Sequence, residues 1–146
     1  MDYKQKVAYL RQYQYCRINL ESLLEEREKW FTLGTKVNSV SDGMPHASSD
    51  ESKVETSSIK IVELTEKINA EIANLDKTMA AVEKVIEDIP NFKGQTIFKL
   101  RYINGMSFSK IADMMGVSER NVFQVHKRII QKLEIENDKG TMGEDS

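Results

Sequence analysis

The sequence predicts an all-α protein in which a long, coiled-coil-like N-terminal helical hairpin is followed by a compact C-terminal domain of short helices. Two observations support this fold class. In the first 89 residues, apolar side chains recur every three or four positions over two long stretches, which places them along one face of a helix. Between residues 90 and 134, helix-length segments alternate with the serine, glycine and proline residues that begin and end helices.

The first long helix is predicted over residues 3–33 and is expected to end at Gly34. Its apolar stripe has alternating four- and three-residue spacing and contains one charged interruption. The stripe consists of Tyr9, Tyr13, Cys16, Leu20, Leu23, Arg27 and Trp30, widened by Leu10, Leu24 and Phe31. We interpret the aromatic residues as a helix-packing surface, because no second binding motif accompanies them.

A disordered loop is predicted at residues 34–58, which are rich in Ser, Thr, Asn, Asp and Gly and lack hydrophobic periodicity. A second long helix follows from residue 59 to about residue 88. Its seam consists of Ile61, Ile68, Ile72, Leu75, Met79, Val82, Ile86 and Ile89. Such a seam needs a partner helix. One candidate is the first helix, folded back as an antiparallel hairpin within residues 1–89; the other is a second copy of the chain, which would make a homo-oligomer through these helices.

The compact domain is predicted at residues 90–134, because Pro90 interrupts the second helix. A short connector at residues 91–94 leads into a supporting helix at residues 95–103. The expected core face of that helix consists of Ile97, Leu100 and Ile103.

Two further short helices are predicted around a tight turn at residues 116–118. Ser107 and Ser118 can each cap a helix, and Gly116 can take the left-handed conformation that reverses the chain. Ala112 is small enough for the second helix to cross the first closely. The apolar faces are Phe108, Ile111, Met114 and Met115 on the first helix, and Val122, Val125, Ile129 and Leu133 on the second. This pattern indicates a helix-turn-helix whose second helix spans residues 119–133.

The outward face of that second helix carries side chains suited to the major groove of DNA. At 100° per residue, Arg120, Gln124 and Lys127 lie opposite the apolar stripe. Glutamine can bond adenine at two atoms, while arginine and lysine bond guanine or phosphate. Phe123 lies between the faces, where it either touches a thymine methyl group or covers the domain edge. The candidate DNA-binding residues are Lys110, Ser118, Glu119, Arg120, Asn121, Phe123, Gln124, Lys127, Arg128 and Gln131.

The distribution of charge agrees with this interpretation. Although the net charge is −2, residues 94–133 carry seven Lys/Arg against two Asp/Glu, whereas residues 1–93 carry thirteen against sixteen. Basic charge is therefore concentrated where nucleic acid is expected. Lys99 and Arg101 in this segment either reach the DNA backbone or remain solvated. Residues 135–146 are acidic overall and are predicted to form a disordered tail.

The helix-turn-helix segment resembles region 4 of the sigma-70 family, which reads the promoter's −35 element. The resemblance is carried by Ile89, Pro90, Leu100, Arg101, Tyr102, Ile111, Ala112, Gly116, Val117, Ser118 and Val122. Together with its helical N-terminal half, the chain resembles the small phage and prophage transcriptional regulators of the RinA and ArpU type. It departs from the sigma pattern at Lys110, where an acidic residue is usual, and at Phe123, where a polar or basic residue is often found.

This resemblance implies a sequence-specific, DNA-binding transcriptional regulator, an activator of phage genes acting at promoters in the cytoplasm of a bacterial host. Two alternatives remain: a DNA-packaging adaptor like the phage terminase small subunits, whose helix-turn-helix tends to come first, and a module that docks on RNA polymerase. An enzyme is not expected, because the sequence lacks a Gly-rich phosphate loop, a metal cluster or a nucleophile with a base. No catalytic residue, metal ligand, cofactor or membrane span is predicted, and the single cysteine cannot form an internal disulfide.

Overall fold

The computed structural model describes the backbone of residues 1–40 and 47–136, and the side chains of residues 1–35 and 52–136. Five α-helices are present in these residues: α1 (Tyr3–Val40), α2 (Ala47–Glu87), α3 (Phe92–Phe98), α4 (Phe108–Met115) and α5 (Glu119–Lys132). A π-helical turn, Lys99–Ile103, follows α3 directly. The described residues contain no strand, and the predicted all-α fold is confirmed.

The prediction of a loop starting at Gly34 was wrong, because α1 continues to Val40 and α2 already begins at Ala47. Packing accounts for the difference. A Cβ placed on Gly34 would lie 3.7 Å from the Cβ of Ser57, so the two helices lie side by side where the composition indicated a loop. Ser57 is itself buried in this contact region. Residues 41–46, including His46, lie outside the described residues.

The chain divides into two compact units, and one of them, Tyr15–Lys77, is the helical hairpin. The helices run antiparallel in this unit: Cys16 Sγ donates to the Glu71 carbonyl at 3.6 Å, and Arg27 Nη1 donates to Thr65 Oγ1 at 3.1 Å. Thr65 thus provides a polar partner for the charged interruption in the predicted stripe. The first helix is therefore a partner of the second, as expected for a hairpin.

The seam of α2 differs in part from the predicted one. Leu64 and Ile68 are each 3% exposed, whereas Ile72, a predicted seam residue, is 44% exposed. Thr78 is buried in place of the predicted Met79, which is half-buried. The buried face of α2 therefore includes the polar residue Thr78. A pattern based on apolar residues alone favours the neighbouring Met79 instead. On α1, the predicted widening residues Leu24 and Phe31 are also exposed.

The second unit joins Met1–Gln14 to the chain from Thr78 onward, so the first turns of α1 pack with the short helices. Leu10 is fully buried in this unit. Lys6 Nζ donates to the Ile130 carbonyl at 3.0 Å, and Gln14 Nε2 donates to the carbonyls of Tyr102 and Ile103 at 3.0 and 2.9 Å. The Gln14 bonds satisfy carbonyl groups at the end of the π-helical turn, and the Lys6 bond adds a second donor to the Ile130 carbonyl, which also accepts the Leu133 N–H at 3.3 Å.

Candidate nucleic-acid interface

The supporting helix begins earlier than predicted, because Asn91 acts as its N-cap. The Asn91 Oδ1 accepts the Gly94 N–H at 3.1 Å, and α3 starts at Phe92 in the segment predicted to be a connector. A Cβ on Gly94 would overlap Ile129 Cδ1. Glycine at this position therefore allows α3 and α5 to approach closely, which fixes the position of α5.

The supporting helix also ends differently, in a π-helical turn. The Asn104 N–H bonds to the Lys99 carbonyl at 3.1 Å, a five-residue separation that widens the helix. The buried residues are Ile97, Phe98 and Tyr102, whereas the predicted core residues Leu100 and Ile103 are only partly buried. Two large aromatic side chains thus occupy the core in place of two of the aliphatic residues that the spacing indicated.

The helix caps and the turn of the predicted helix-turn-helix are confirmed. Ser107 Oγ accepts the Lys110 N–H at 3.1 Å and Ser118 Oγ accepts the Asn121 N–H at 3.0 Å, so both serines cap helices. Gly116 has φ 70°, the left-handed conformation that ends α4. The Val117 N–H then bonds to the Ala112 carbonyl. Ala112 itself is buried, as expected for a small residue where the two helices cross. Met114 was expected on the apolar face but is 60% exposed.

The inner face of α5 is centred on residues that the apolar pattern did not all identify. Its buried side chains are Val122, His126, Ile130 and Leu133. Val125 and Ile129, which were predicted as part of the stripe, are only partly buried. The pattern missed the centre of the face because a histidine occupies a core position there.

His126 lies in a group of aromatic rings beneath α5. Its ring stacks on Phe98 with centroids 4.9 Å apart and meets Phe108 edge-on at 5.0 Å. His126 Nε2 and the Tyr102 hydroxyl share a buried hydrogen bond of 2.6 Å, while His126 Nδ1 has no hydrogen-bond partner in the described residues. Burial and the nearby charge of Arg101 lower the pKa of His126 to about 4, and burial raises the pKa of Tyr102 to about 12. Both groups are therefore neutral near pH 7.

Arg101 is engaged within the domain. Its Nη1 donates to the Met106 carbonyl at 3.1 Å, and its guanidinium carbon lies 4.1 Å from the centroid of the Phe108 ring. This side chain thus fastens the segment between the π-helical turn and α4. Lys99, the other basic residue considered in this helix, is exposed.

The predicted DNA-binding residues form an exposed surface on α4, α5 and the turn between them. Nine are exposed: Lys110, Ser118, Glu119, Arg120, Phe123, Gln124, Lys127, Arg128 and Gln131. Phe123 is 46% exposed and its ring meets Phe108 edge-on, with centroids 5.9 Å apart. The tenth residue, Asn121, is partly buried, and its Oδ1 accepts a 2.8 Å hydrogen bond from Lys93 Nζ. Sequence reasoning did not single out Lys93, because the two residues are distant along the chain.

The capped short helices, the left-handed glycine between them and the basic outer face together form a helix-turn-helix with an exposed second helix. Residues 91–134 match the family model Sigma-70, region 4. No curated protein and no solved structure matches the chain. This segment is therefore a sigma-70 region 4-like, DNA-binding helix-turn-helix, and α5 is its second helix.

Two features typical of other functional classes are absent from the described residues. None of the helices in residues 1–40 and 47–136 contains a stretch long and apolar enough to cross a lipid bilayer. In the same part of the chain, no three His, Cys, Asp or Glu side chains are grouped so that they could hold a metal ion. Residues 135 and 136 of the predicted tail have no regular structure, and residues 137–146 lie outside the described residues.

Proposed function

We propose that this protein is a sequence-specific transcriptional regulator that reads the major groove of DNA with α5. The observation that carries this proposal is the two-sided character of α5. Val122, His126 and Ile130 are buried on its inner side, while Arg120, Gln124 and Lys127 are exposed on its outer side. Because its inner side is packed in the core of the domain, α5 can place its outer side in a groove of DNA while its inner side stays buried.

Different residues on the outer side of α5 and on α4 are placed to make base contacts and phosphate contacts. Arg120 and Gln124 lie in the N-terminal half of the helix, from which recognition helices usually contact base edges. Arg128 and Lys110 lie away from that line and can bond phosphates beside the groove. Positive charge concentrated in residues 94–133 favours approach to DNA by releasing counterions.

The further parts of the proposal rest on the family resemblance. They make the protein an activator of phage genes that works at promoters, contacts RNA polymerase and acts in the bacterial cytoplasm without catalysis or a cofactor. The two long helices would allow a homo-oligomer to form. The match to sigma region 4 favours a polymerase contact as the second candidate function; a packaging adaptor has no comparable support.

Footprinting the full chain on DNA from its own genomic neighbourhood, with and without host RNA polymerase, tests the proposal. A protected site in the absence of polymerase supports DNA recognition, whereas protection only in its presence supports the docking function. No protection under either condition would contradict both.

Gln124→Ala should reduce sequence specificity in this assay. Loss of a two-atom base contact costs roughly 1 to 3 kcal/mol on the preferred site and little on random DNA, so the ratio of the two affinities should shrink about fivefold or more. Val122→Ala is the structural control, since Val122 is fully buried and should affect thermal stability first. An unchanged ratio in a well-folded Gln124→Ala variant would favour the docking function.

A further inference from the structure

Lys93, in the first turn of α3, and Asn121, in the first turn of α5, join the two helices through their side chains. The Lys93 ammonium donates a 2.8 Å hydrogen bond to Asn121 Oδ1. Both residues are partly buried. The bond therefore constrains two side chains at the edge of the DNA-binding surface.

The ammonium group determines which way the Asn121 amide faces. Lysine has three N–H donors and no acceptor, so only the amide oxygen can face it. The amide nitrogen consequently points away from Lys93. In the part of the chain that the structure describes, Asn121 Nδ2 has no hydrogen-bond partner and Lys93 has no carboxylate partner. The pair thus offers free N–H groups and one positive charge, a combination that suits an anionic oxygen.

The position of Asn121 on α5 indicates which part of DNA it meets. At 100° per residue, Asn121 lies roughly 90° from the outward line through Arg120, Gln124 and Lys127, on the same edge as Arg128. The outward line faces the base edges, while the edges of a helix in the groove face the phosphates that border it. Moreover, a two-atom bond to adenine needs the amide oxygen, which Lys93 occupies.

We propose that Lys93 and Asn121 together bind one backbone phosphate of DNA. The Lys93 ammonium supplies the charge, Asn121 Nδ2 donates a hydrogen bond to a phosphate oxygen, and Asn121 does not read a base. This inference rests on the proposed function and specifies a contact at the same interface. It adds Lys93 to the DNA-binding residues and assigns Asn121 to the phosphate contacts.

The test measures binding of the full chain to two fluorescent duplexes over a range of salt concentrations. One duplex is selected by the protein from a random library, and the other is a pool of random sequence. Lys93→Ala should weaken binding to both by a similar factor, about tenfold, and reduce the salt slope by about one. Asn121→Ala should weaken both equally and leave the slope unchanged, because the amide carries no charge.

Two substitutions sharpen the result. Lys93→Arg keeps the charge and should keep the salt slope, whereas Asn121→Asp pairs with Lys93, removes the donor and should weaken binding more than Asn121→Ala. Lys84→Ala is the matched control, since it removes an exposed lysine on α2, outside the predicted DNA-binding residues; it should change affinity less than about threefold. Thermal melts by circular dichroism establish that each variant is folded.

Duplexes with one neutral methylphosphonate at successive positions identify the phosphate. One position should weaken binding of the wild-type protein but cause no further loss in Lys93→Ala or Asn121→Ala. The proposal is overturned if Asn121→Ala lowers the ratio of selected to random affinity, or if both variants bind like the wild type. Failure of the wild-type protein to bind either duplex at any salt concentration would instead overturn the proposed function itself.

Discussion

The hairpin unit and the helix-turn-helix unit hold their helices together in different ways. In the hairpin, Tyr15–Lys77, the buried apolar residues Leu64 and Ile68 lie four positions apart on one face of α2, which is the spacing of helix-to-helix packing. In the other unit, individual atoms determine the geometry: the buried Tyr102–His126 bond and the bare Cα of Gly94 are examples. The hairpin should therefore tolerate small local changes, whereas the helix-turn-helix unit should respond strongly to single substitutions and to pH.

The largest expected effect is a loss of stability in acid, because the buried His126 must remain neutral. Its pKa is lowered to about 4 in the folded protein, whereas in the unfolded chain it is about 6.5. The unfolded chain therefore takes up a proton first as the pH falls. Stability is fully present above about pH 6.5 and is lost as the pH falls to about 4, by about 3 kcal/mol. Urea unfolding followed by circular dichroism across this range measures the loss.

Replacing each histidine separately identifies the group responsible. His126→Leu removes the titrating ring and should flatten the profile between about pH 5 and 6.5, where few carboxylates titrate. His46→Gln replaces the other histidine of the chain, so a pH dependence that disappears in His126→Leu but persists in His46→Gln is assigned to the buried ring. A wild-type protein equally stable at pH 6.5 and 5 would contradict the prediction.

Sequence patterns predicted the buried faces of the two long helices, α1 and α2, well where the buried residues are apolar and less well where they are polar. Leu10, Tyr13 and Cys16 lie on the predicted stripe and are buried. Thr78 is buried as well, but apolar periodicity favoured the adjacent Met79. The loop was assigned too many residues because composition reports local preference, whereas the contact between Gly34 and Ser57 depends on a helix distant along the chain.

In the candidate site, the sequence predicted the helix caps and the turn correctly, but it did not predict hydrogen bonds between residues distant along the chain. The caps at Ser107 and Ser118 and the turn at Gly116 depend on neighbouring residues, and all three were predicted. The partner of His126 is Tyr102 in the π-helical turn, 24 positions away, and the partner of Asn121 is Lys93 in α3, 28 positions away. Spacing within a single helix carries no information about such bonds.

Two glycine substitutions with opposite expected signs test the contrast between the units. In Gly94→Ala, the new methyl would overlap Ile129 Cδ1 and lie 3.2 Å from Ile89 Cγ2, so the partly buried Ile129 and the buried Ile89 must move. We expect destabilisation of about 1 to 2 kcal/mol. In Gly34→Ala, the methyl would meet Ser57 Cβ at an ordinary 3.7 Å. Helix propensity should then stabilise the hairpin by up to about 1 kcal/mol.

Thermal melts of the two alanine variants and the wild type provide the measurement, and Trp30 fluorescence reports separately on the hairpin. Equal shifts in the same direction would mean that the two units do not differ in their tolerance of a methyl group. Stabilisation by Gly94→Ala in particular would show that Ile129 can move aside without loss of packing.

The smallest expected effect concerns Lys6, which connects α1 to the end of α5. Its ammonium donates to the Ile130 carbonyl at 3.0 Å and, more weakly, to the Gln131 carbonyl at 3.5 Å. These carbonyls carry the partial negative charge of a helix C-terminus, so a cation there contributes about 0.3 to 1 kcal/mol. Lys6→Met keeps much of the aliphatic stem and should lower stability by that amount at low salt and by less at high salt.

Lys4→Met is the matched control, because Lys4 is exposed and makes no hydrogen bond to a described residue of α5. Urea midpoints of both variants at two salt concentrations separate the specific contact from the general loss of one charge. If the two variants were equally destabilised, the Lys6 bond would contribute nothing of its own. If only Lys6→Met were destabilised, the first turns of α1 would contribute to holding α5 in place. A fragment starting at Pro90 lacks these turns, so its DNA-binding domain would have a lower free energy of unfolding than in the full chain.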